Sequence, residues 1–512
     1  MRTGLKKSSL FRSTFIVASF TSLSRIAGLI RDVLISNVLG VSFVADAFII
    51  ALRLPNIFRR IIAEGAFSAA FVPTFSKRLL EGKASSVNFS QDILYALTIL
   101  IIIITSLLQL LMPWIMYLMA YGFSGDAAKF ELAIIYSRIT APYILFISLS
   151  SLGVGILNSI GKYSITSLSP VILNILLIIA LILPSDDILL TGYFLSFAVM
   201  ISGFLQFILI FLTLRKNKYS LKFRRPKSYI EVNRFMKLAN PQIIIGLILQ
   251  ANILLSGAIA SFVQGGISSL YYAERLYQLP LALFGISIGT VLLPTLSSLD
   301  LKDDILEINQ VLRKSVKFAL IMSIPAAAGL IMISVPIITL IYQHGLFNES
   351  NTILVSKTLI AFSLGLPAFI LIKIYLPIFY SRGDTKNPLR YSLISAAINI
   401  FMALLLFSKY GIIGIALSTS FSSWVNFFLL SNKSKSFMIS IFSMKLYSDL
   451  LKIIFSSAVM SYAIFFLLNI FSDFSILSLI LIITSVAILI YFLILFLLGV
   501  LNKNDIRSIV GQ

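Results

Sequence analysis

Residues 93–119 read ILYALTILIIIITSLLQLLMPWIMYLM, twenty-seven residues without an Asp, Glu, Lys or Arg. Wound as an α-helix at about 1.5 Å per residue, such a run reaches roughly 40 Å and exceeds the hydrocarbon thickness of a bilayer. Its backbone N–H and C=O groups meet no water there, so they must bond one another within the segment, which selects a helix. An outer-membrane barrel would show short alternating strands instead. Cutting the rest of the chain where polar, Gly or Pro clusters interrupt similar runs gives thirteen further spans of about 20 residues or more. With the first they cover 13–39, 43–75, 93–119, 132–158, 165–184, 189–213, 236–262, 268–298, 318–343, 354–379, 389–408, 411–430, 447–469 and 475–500. The composition agrees: 58% of the 512 residues are hydrophobic and 12% charged, and the mean hydropathy is +0.99. The chain reads as an all-α polytopic membrane protein with about fourteen transmembrane helices, and a soluble globular enzyme is excluded.

Charge placement tests that count. Lys and Arg number 41 against 20 Asp and Glu, a net charge of +21. The cations gather at the N-terminus and after even-numbered spans, as at Lys77, Arg78 and Lys83, from Arg215 to Lys227, and at Arg382, Lys386 and Arg390. Loops after odd-numbered spans carry almost none, so the positive-inside rule puts both termini in the cytoplasm. The same rule accounts for the basic excess without nucleic acid. No cysteine and a single histidine, His344, exclude disulfides, thiolate sites and histidine metal clusters. The first apolar stretch carries Arg25, Arg31 and Asp32, so no cleavable leader is expected.

The chain also repeats itself. Pro142 and Asn174 recur as Pro367 and Asn399 at an offset of 225 residues. Ala51-Leu52-Arg53-Leu54 pairs with Ala273-Glu274-Arg275-Leu276 at 222, and Val72-Pro73-Thr74-Phe75-Ser76 with Leu293-Pro294-Thr295-Leu296-Ser297 at 221. Three nearly equal offsets in one order indicate duplication across six helices, hence two six-helix lobes in the same orientation. The expected domains are an N-lobe at 1–214, a basic linker at 215–235, a C-lobe at 236–435, and two extra helices within 436–512. Parallel-repeat transporters bind substrate between their lobes, and such a cavity within one chain needs no second copy, so a monomer is expected.

Charges inside the spans carry the functional signal. Arg25, Arg31 and Asp32 fall in span 1, Asp46, Arg53, Arg59, Arg60 and Glu64 in span 2, Arg138 in span 4, Glu274 and Arg275 in span 8, and Lys373 in span 10. Each Arg near the bilayer centre costs roughly 2.5–3.5 kcal/mol, so these groups face water or one another. Internal ion pairs are the plain alternative: Arg60 and Glu64 are four apart, Arg25 and Asp32 seven, and Asp32, Asp46 and Glu64 read equally as structural partners. Cations outnumber acids, however, and surplus guanidinium suits a polyanion such as phosphate, which Arg grips in a bidentate fork. Gly28, Pro55 and Gly65 permit bending beside these charges. Lys373 is either a snorkelling residue or a counter-ion.

The block Ser24-Arg25-Ile26-Ala27-Gly28-Leu29-Ile30-Arg31-Asp32, then Ala45-Asp46-Ala47-Phe48, then Arg53 through Ser68 with Phe71-Val72-Pro73, closely resembles the bacterial MurJ (MviN) lipid II flippases. Tyr271-Tyr272-Ala273-Glu274-Arg275-Leu276 and Phe379-Tyr380-Ser381-Arg382 do too. That family belongs to the multidrug/oligosaccharidyl-lipid/polysaccharide exporter superfamily. The resemblance implies export of a lipid-linked peptidoglycan precursor across the bacterial cytoplasmic membrane, for cell-wall synthesis and cell shape, by alternating access and without covalent chemistry. It implies that Arg25, Arg31, Arg59 and Arg275 bind the diphosphate and sugar-peptide head, with Asp32, Arg53, Asp46 and Glu64 shaping the site. Gly28, Glu274 and Gln278 would serve gating, although some members carry an acid where Gln278 stands. The last two helices would form a groove for the polyprenyl tail. Partners would be lipid II, membrane lipids and cell-wall synthases. No cofactor or metal is implied, and coupling to membrane potential or to a monovalent cation stays open. A drug or organic-ion antiporter of the same superfamily, or a flippase for another polyprenyl-diphosphate-linked saccharide, is the rival reading; the antiporter would need cavity acids.

Overall fold

The computed structural model describes residues 7–61, 67–183, 185, 187–299, 304–439, 441, 443–471 and 473–501. Among them there is no strand. Twenty α-helices follow in order: α1 (Lys7–Leu39), α2 (Phe43–Phe58), α3 (Phe67–Glu81), α4 (Lys83–Leu110), α5 (Met112–Met119), α6 (Ala127–Thr140), α7 (Pro142–Ser159), α8 (Tyr163–Ile182), α9 (Ile188–Lys216) and α10 (Tyr229–Ala260). Then come α11 (Gly266–Pro280), α12 (Ser287–Ser298), α13 (Ile305–Met332), α14 (Ser334–Tyr342), α15 (Glu349–Ser363), α16 (Leu366–Tyr380), α17 (Lys386–Tyr410), α18 (Ile412–Ser434), α19 (Met444–Ile470) and α20 (Ile476–Leu497).

The expected spans fall on these helices, several on a pair. Proline makes the breaks, because it lacks an N–H and clashes with the preceding turn. Pro113 starts α5, Pro142 starts α7 and Pro367 starts α16, where α15 and α16 bend by 41°. A π-turn at Leu281–Ile286 joins α11 to α12 directly after Pro280. By length and hydropathy, ten helical stretches among the described residues can each cross a bilayer, with α6–α7 and α11–α12 each counting as one, or eleven if the bent α15–α16 pair is a further crossing. The chain is a polytopic all-helical membrane protein.

The repeat has a local structural signature. Gly161, after α7, and Gly383, after α16, both take left-handed φ, at 76° and 69°. Lys162 N donates to Leu157 O at 2.8 Å, and Asp384 N donates to Phe379 O at 3.0 Å. Two helices that each start with proline therefore end in the same glycine-dependent turn, at the 222-residue offset already seen in the sequence.

The chain forms two compact units, the first ending at Ser268 and the second beginning at Ser269. The repeat assigns α10 to the C-terminal half, whereas by packing it belongs with the N-terminal helices. In the first unit Phe71, Phe75, Phe89, Ile93, Leu152 and Ile210 form a buried core. Lipid tails are as apolar as leucine, so close fit rather than expulsion from water favours this packing. At Gly153 and Gly203 a Cβ would lie 2.3 Å from Ile210 Cγ2 and 2.7 Å from Tyr143 Cδ2, so their missing side chains let α7 and α9 meet.

The segment between α9 and α10 lies against α4. Asp92 accepts from Lys227 N at 3.0 Å and Ser228 N at 3.2 Å and pairs with Arg224 Nη1 at 3.0 Å. Arg224 also donates to Gln91 Oε1 at 2.7 Å and Asn88 Oδ1 at 3.1 Å. Tyr95 packs on Phe223, Lys83 sits over Tyr219, and Arg78 pairs with Glu231 at the start of α10. In the second unit α19 and α20 dock on α13. Lys317 pairs with Asp449 at 2.9 Å, Tyr491 Oη donates to Ile321 O at 2.6 Å, and Lys452 Nζ donates to Leu498 O at 2.9 Å.

Candidate substrate and gating sites

Helix α1 packs along α8, and Asn174 ties the two together at two points. Asn174, buried on α8, donates through Nδ2 to Ser24 O at 3.0 Å and accepts through Oδ1 from Arg31 Nη1 at 2.8 Å. Arg31 Nε and Nη2 both donate to Asp32 Oδ1, at 3.0 and 2.6 Å. Ser24, Gly28 and Arg31 recur at helical spacing, so the amide lies across two turns of α1 with Gly28 between the anchor points. A Cβ on Gly28 would sit 3.7 Å from Asn174 Nδ2. Arg25 lies outside this clasp and is exposed.

A second polar knot forms at the Phe43 end of α2, whose N-cap Ser42 accepts from Ala45 N. Asp46 is fully buried, with donors on both carboxylate oxygens. Oδ1 accepts from Ser268 N and Ser268 Oγ, each at 2.9 Å, and Oδ2 accepts from Gly265 N at 2.8 Å and Lys129 Nζ at 3.3 Å. Gly265 lies in the connection after α10, Ser268 on the first turn of α11, and the cation comes from α6. Lys129, also buried, stands over the Phe123 ring at 4.1 Å. Gly122 N donates to Ser261 Oγ at 2.8 Å, and a Cβ at Gly122 would fall 2.3 Å from Phe262 N. A cavity of about 220 Å³ opens beside the knot, lined among others by Phe43, Asp126, Lys129 and Gln264.

The remaining charges lie on α2 and α11. Arg53 and Arg59 are half-buried and Arg60 is exposed. Arg53 Nη1 lies 2.7 Å from where a Cβ on Gly257 would stand, so the guanidinium passes close over α10 at a glycine. Within the second unit, Arg275 stacks on the Tyr271 ring at 4.5 Å and donates to Tyr271 Oη at 2.9 Å. Glu274 and Gln278, its neighbours along α11, are half-buried.

Against known proteins, the family described as lipid II flippase MurJ matches residues 35–503. The chain belongs to the MurJ family. The probable lipid II flippase MurJ of Rickettsia prowazekii is 38% identical over 426 residues, covering 83% of this chain and 84% of that protein. The lipid II flippase MurJ of Burkholderia cenocepacia is 33% identical over 395 residues, covering 75% and 76%. A solved structure of lipid II flippase MurJ in an inward closed conformation superposes with a TM-score of 0.80 at 31% identity, over 94% of this chain and 98% of that one. An inward-facing multidrug resistance MATE family transporter of the MOP superfamily shares the fold at 14% identity, with a TM-score of 0.68 over 83% and 98%.

In this MurJ-family chain the sequence-derived site residues separate by environment. Arg31 is 8% exposed and held by Asp32 and Asn174, so it faces other polar groups rather than water. Asp32 pairs with its neighbour Arg31 rather than with Arg25 seven residues away, because the two side chains share the buried α1–α8 seam. Asp46 sits in the knot with Lys129. Arg25, Arg53 and Arg59 retain exposed or half-exposed side chains, as Arg275 does in its own unit. Lys373 is exposed and makes no ion pair among the described residues. Glu64 and Gly65 lie outside the described residues. Among the described residues no group of three or more His, Cys, Asp or Glu could hold a metal ion. Sequence reasoning missed Lys129, Ser268 and the role of Asn174. Lys129 had a signal: it is a cation in a loop class where the charge pattern leaves almost none.

Proposed function

We propose that the chain flips lipid II, the lipid-linked peptidoglycan precursor, from the cytoplasmic to the periplasmic leaflet of the bacterial inner membrane by alternating access. The family match over residues 35–503 carries this reading. The proposal includes fourteen crossings with both termini in the cytoplasm, lobes at 1–214 and 236–435, and α19 and α20 as a guide for the polyprenyl tail. Arg25, Arg59 and Arg275 grip the diphosphate through charge-assisted forks, and Arg31 joins them when the Asn174 clasp opens. No bond is made or broken, so the work is differential binding to two states of one protein. In this orientation the Asp46 knot lies at the periplasmic end, and parting of the α10–α11 turn from α2 opens that end. Membrane potential acting on the bound charges, at about 2.3 kcal/mol per charge per 100 mV, is sufficient in kind to bias the cycle.

The test is leaflet access in cells depleted of the native protein, with an externally added enzyme that cleaves lipid II only in the outer leaflet. The expected result is loss of cleavage on depletion, rescued by wild type but not by Arg25→Ala or Arg275→Ala at equal membrane abundance. Rescue by both variants refutes the site, and undiminished cleavage on depletion refutes the function.

A further inference from the structure

We infer that Tyr491 is a positioning residue for the lipid tail: its hydroxyl caps a backbone carbonyl that Pro325 leaves without a helical donor, and so fixes α20 on α13 within the bilayer. The inference rests on the reading of α19 and α20 as the guide for that tail. In an α-helix each C=O accepts from the N–H four residues on, and proline has no N–H to give. Pro325 lies inside α13, so Ile321 O loses its helical partner. Water cannot replace it in the hydrocarbon region, and a neighbouring helix must. Tyr491 Oη, from α20, donates to that oxygen at 2.6 Å.

The first unit meets the same need in the same way. Pro55 lies inside α2 and frees Ala51 O, and Thr140 Oγ1, at the end of α6, donates to it at 3.0 Å. In both units a hydroxyl from a helix distant in sequence closes the gap left by a proline. The two contacts differ in what they fasten. α2 and α6 pack on each other along much of their length, whereas α20 buries a single stripe of Leu479, Ile483, Ala487, Tyr491 and Leu495. Leu481, Leu489 and Leu493, off that stripe, are exposed. Tyr491 is the one polar member of the stripe. Lipid tails compete with apolar side chains for contact, so Leu, Ile and Ala alone would let α20 slide or turn against its neighbours. A hydrogen bond to one carbonyl has a narrow range of distance and angle, and it sets both depth and rotation. Lys452 Nζ ties α19 to the end of α20 through Leu498 O, and Tyr491 adds a contact about two turns deeper, on α13 itself. The guide therefore keeps one geometry on the second unit while the head crosses.

The test measures binding to the full chain in lipid nanodiscs of lipid II with an undecaprenyl tail and of an analogue with a farnesyl tail. Wild type, Tyr491→Phe, Pro325→Ala and the double variant are compared. Pro325→Ala returns an N–H to Ile321 O, so the hydroxyl becomes dispensable. Tyr491→Phe should raise the half-saturating concentration of the undecaprenyl substrate by roughly threefold to twentyfold, the range of hydrogen bonds between membrane helices, and leave the farnesyl analogue unchanged. The double variant should bind both as Pro325→Ala does. Wild-type affinity of Tyr491→Phe for the long tail, an equal loss for both tails, or a loss that persists in the Pro325→Ala background overturns the inference, because a packing role needs neither the tail nor the proline. Equal affinity of wild type for the two tails overturns the guide reading instead, and melting temperatures then decide the anchor. A drop in Tyr491→Phe that vanishes in the Pro325→Ala background upholds the contact between α20 and α13; no drop, or the same drop in both backgrounds, overturns it.

Discussion

Replacing Asn174 by Ala removes the one side chain that joins α1 to α8 through both Ser24 and Arg31. The bond to Arg31 is charge-assisted, and losing its acceptor in a buried place costs about 1.5–3 kcal/mol. Ser24 O keeps its helical acceptor role, so that half of the loss is small. Arg31 retains Asp32, which limits the damage to the clasp. Weakening by 1.5–3 kcal/mol corresponds to a factor of roughly 10–150 in the equilibrium between clasped and released α1. Hydrogen exchange over residues 24–32 in nanodiscs reads this directly, with an expected acceleration of at least about tenfold. Asn174→Asp separates the two contacts: it keeps an acceptor for Arg31 and loses the donor to Ser24, so its exchange should stay near wild type. A change of less than about twofold in Asn174→Ala would refute the assignment of α1's position to this residue. So would an equal effect in both variants.

Gly28→Ala places a methyl 3.7 Å from Asn174 Nδ2, ordinary contact distance, so thermal stability should hold or rise by about 0.5–1 kcal/mol while flipping slows if α1 bends there; a full rate would remove Gly28 as the hinge. Gly192→Ala drives a Cβ to 2.1 Å from the hydroxyl of Tyr136, which donates to Leu189 O at 2.8 Å, so the melting temperature in detergent should fall, by about 1–3 kcal/mol of stability. Arg224→Ala strips Asp92 of its cation and frees Gln91 and Asn88, and limited proteolysis between 217 and 228 should quicken severalfold; unchanged cleavage would mean that the two amides at Lys227 and Ser228 suffice.

The membrane class and the helices were legible because hydropathy acts locally: a run such as 93–119 has one solution in lipid whatever surrounds it. The helix breaks at Pro113, Pro142 and Pro367, each inside one of those runs, show only in the structure. Gly161 and Gly383 take the same left-handed turn at an offset close to those of the repeated sequence stretches. The fate of each charge was not legible. Arg31 and Arg25 look alike in sequence, but Arg31 points at an asparagine 143 positions away while Arg25 does not. Asp46 read equally as a ligand shaper or a structural partner, and its donors lie 83 and 222 positions off in sequence. Packing of α10 with the first unit is likewise a long-range outcome, set by Asp92, Arg224 and the Arg78–Glu231 pair rather than by the repeat.

Attachment of the 217–228 segment to α4 bears on how the chain is made. Ribosomes deliver the N-terminal helices first, at about 5–20 residues per second, and domains consolidate in that order. By the time Arg224 and Lys227 emerge, Asn88, Gln91 and Asp92 have been in the membrane for more than a hundred residues of synthesis. The nascent chain can zip onto them at once, anchoring the start of α10 before α11 exists. Insertion of the second half would then begin from a fixed point and a fixed direction, which guards a duplicated sequence against the hazard peculiar to it, the pairing of a helix with its twin's partner.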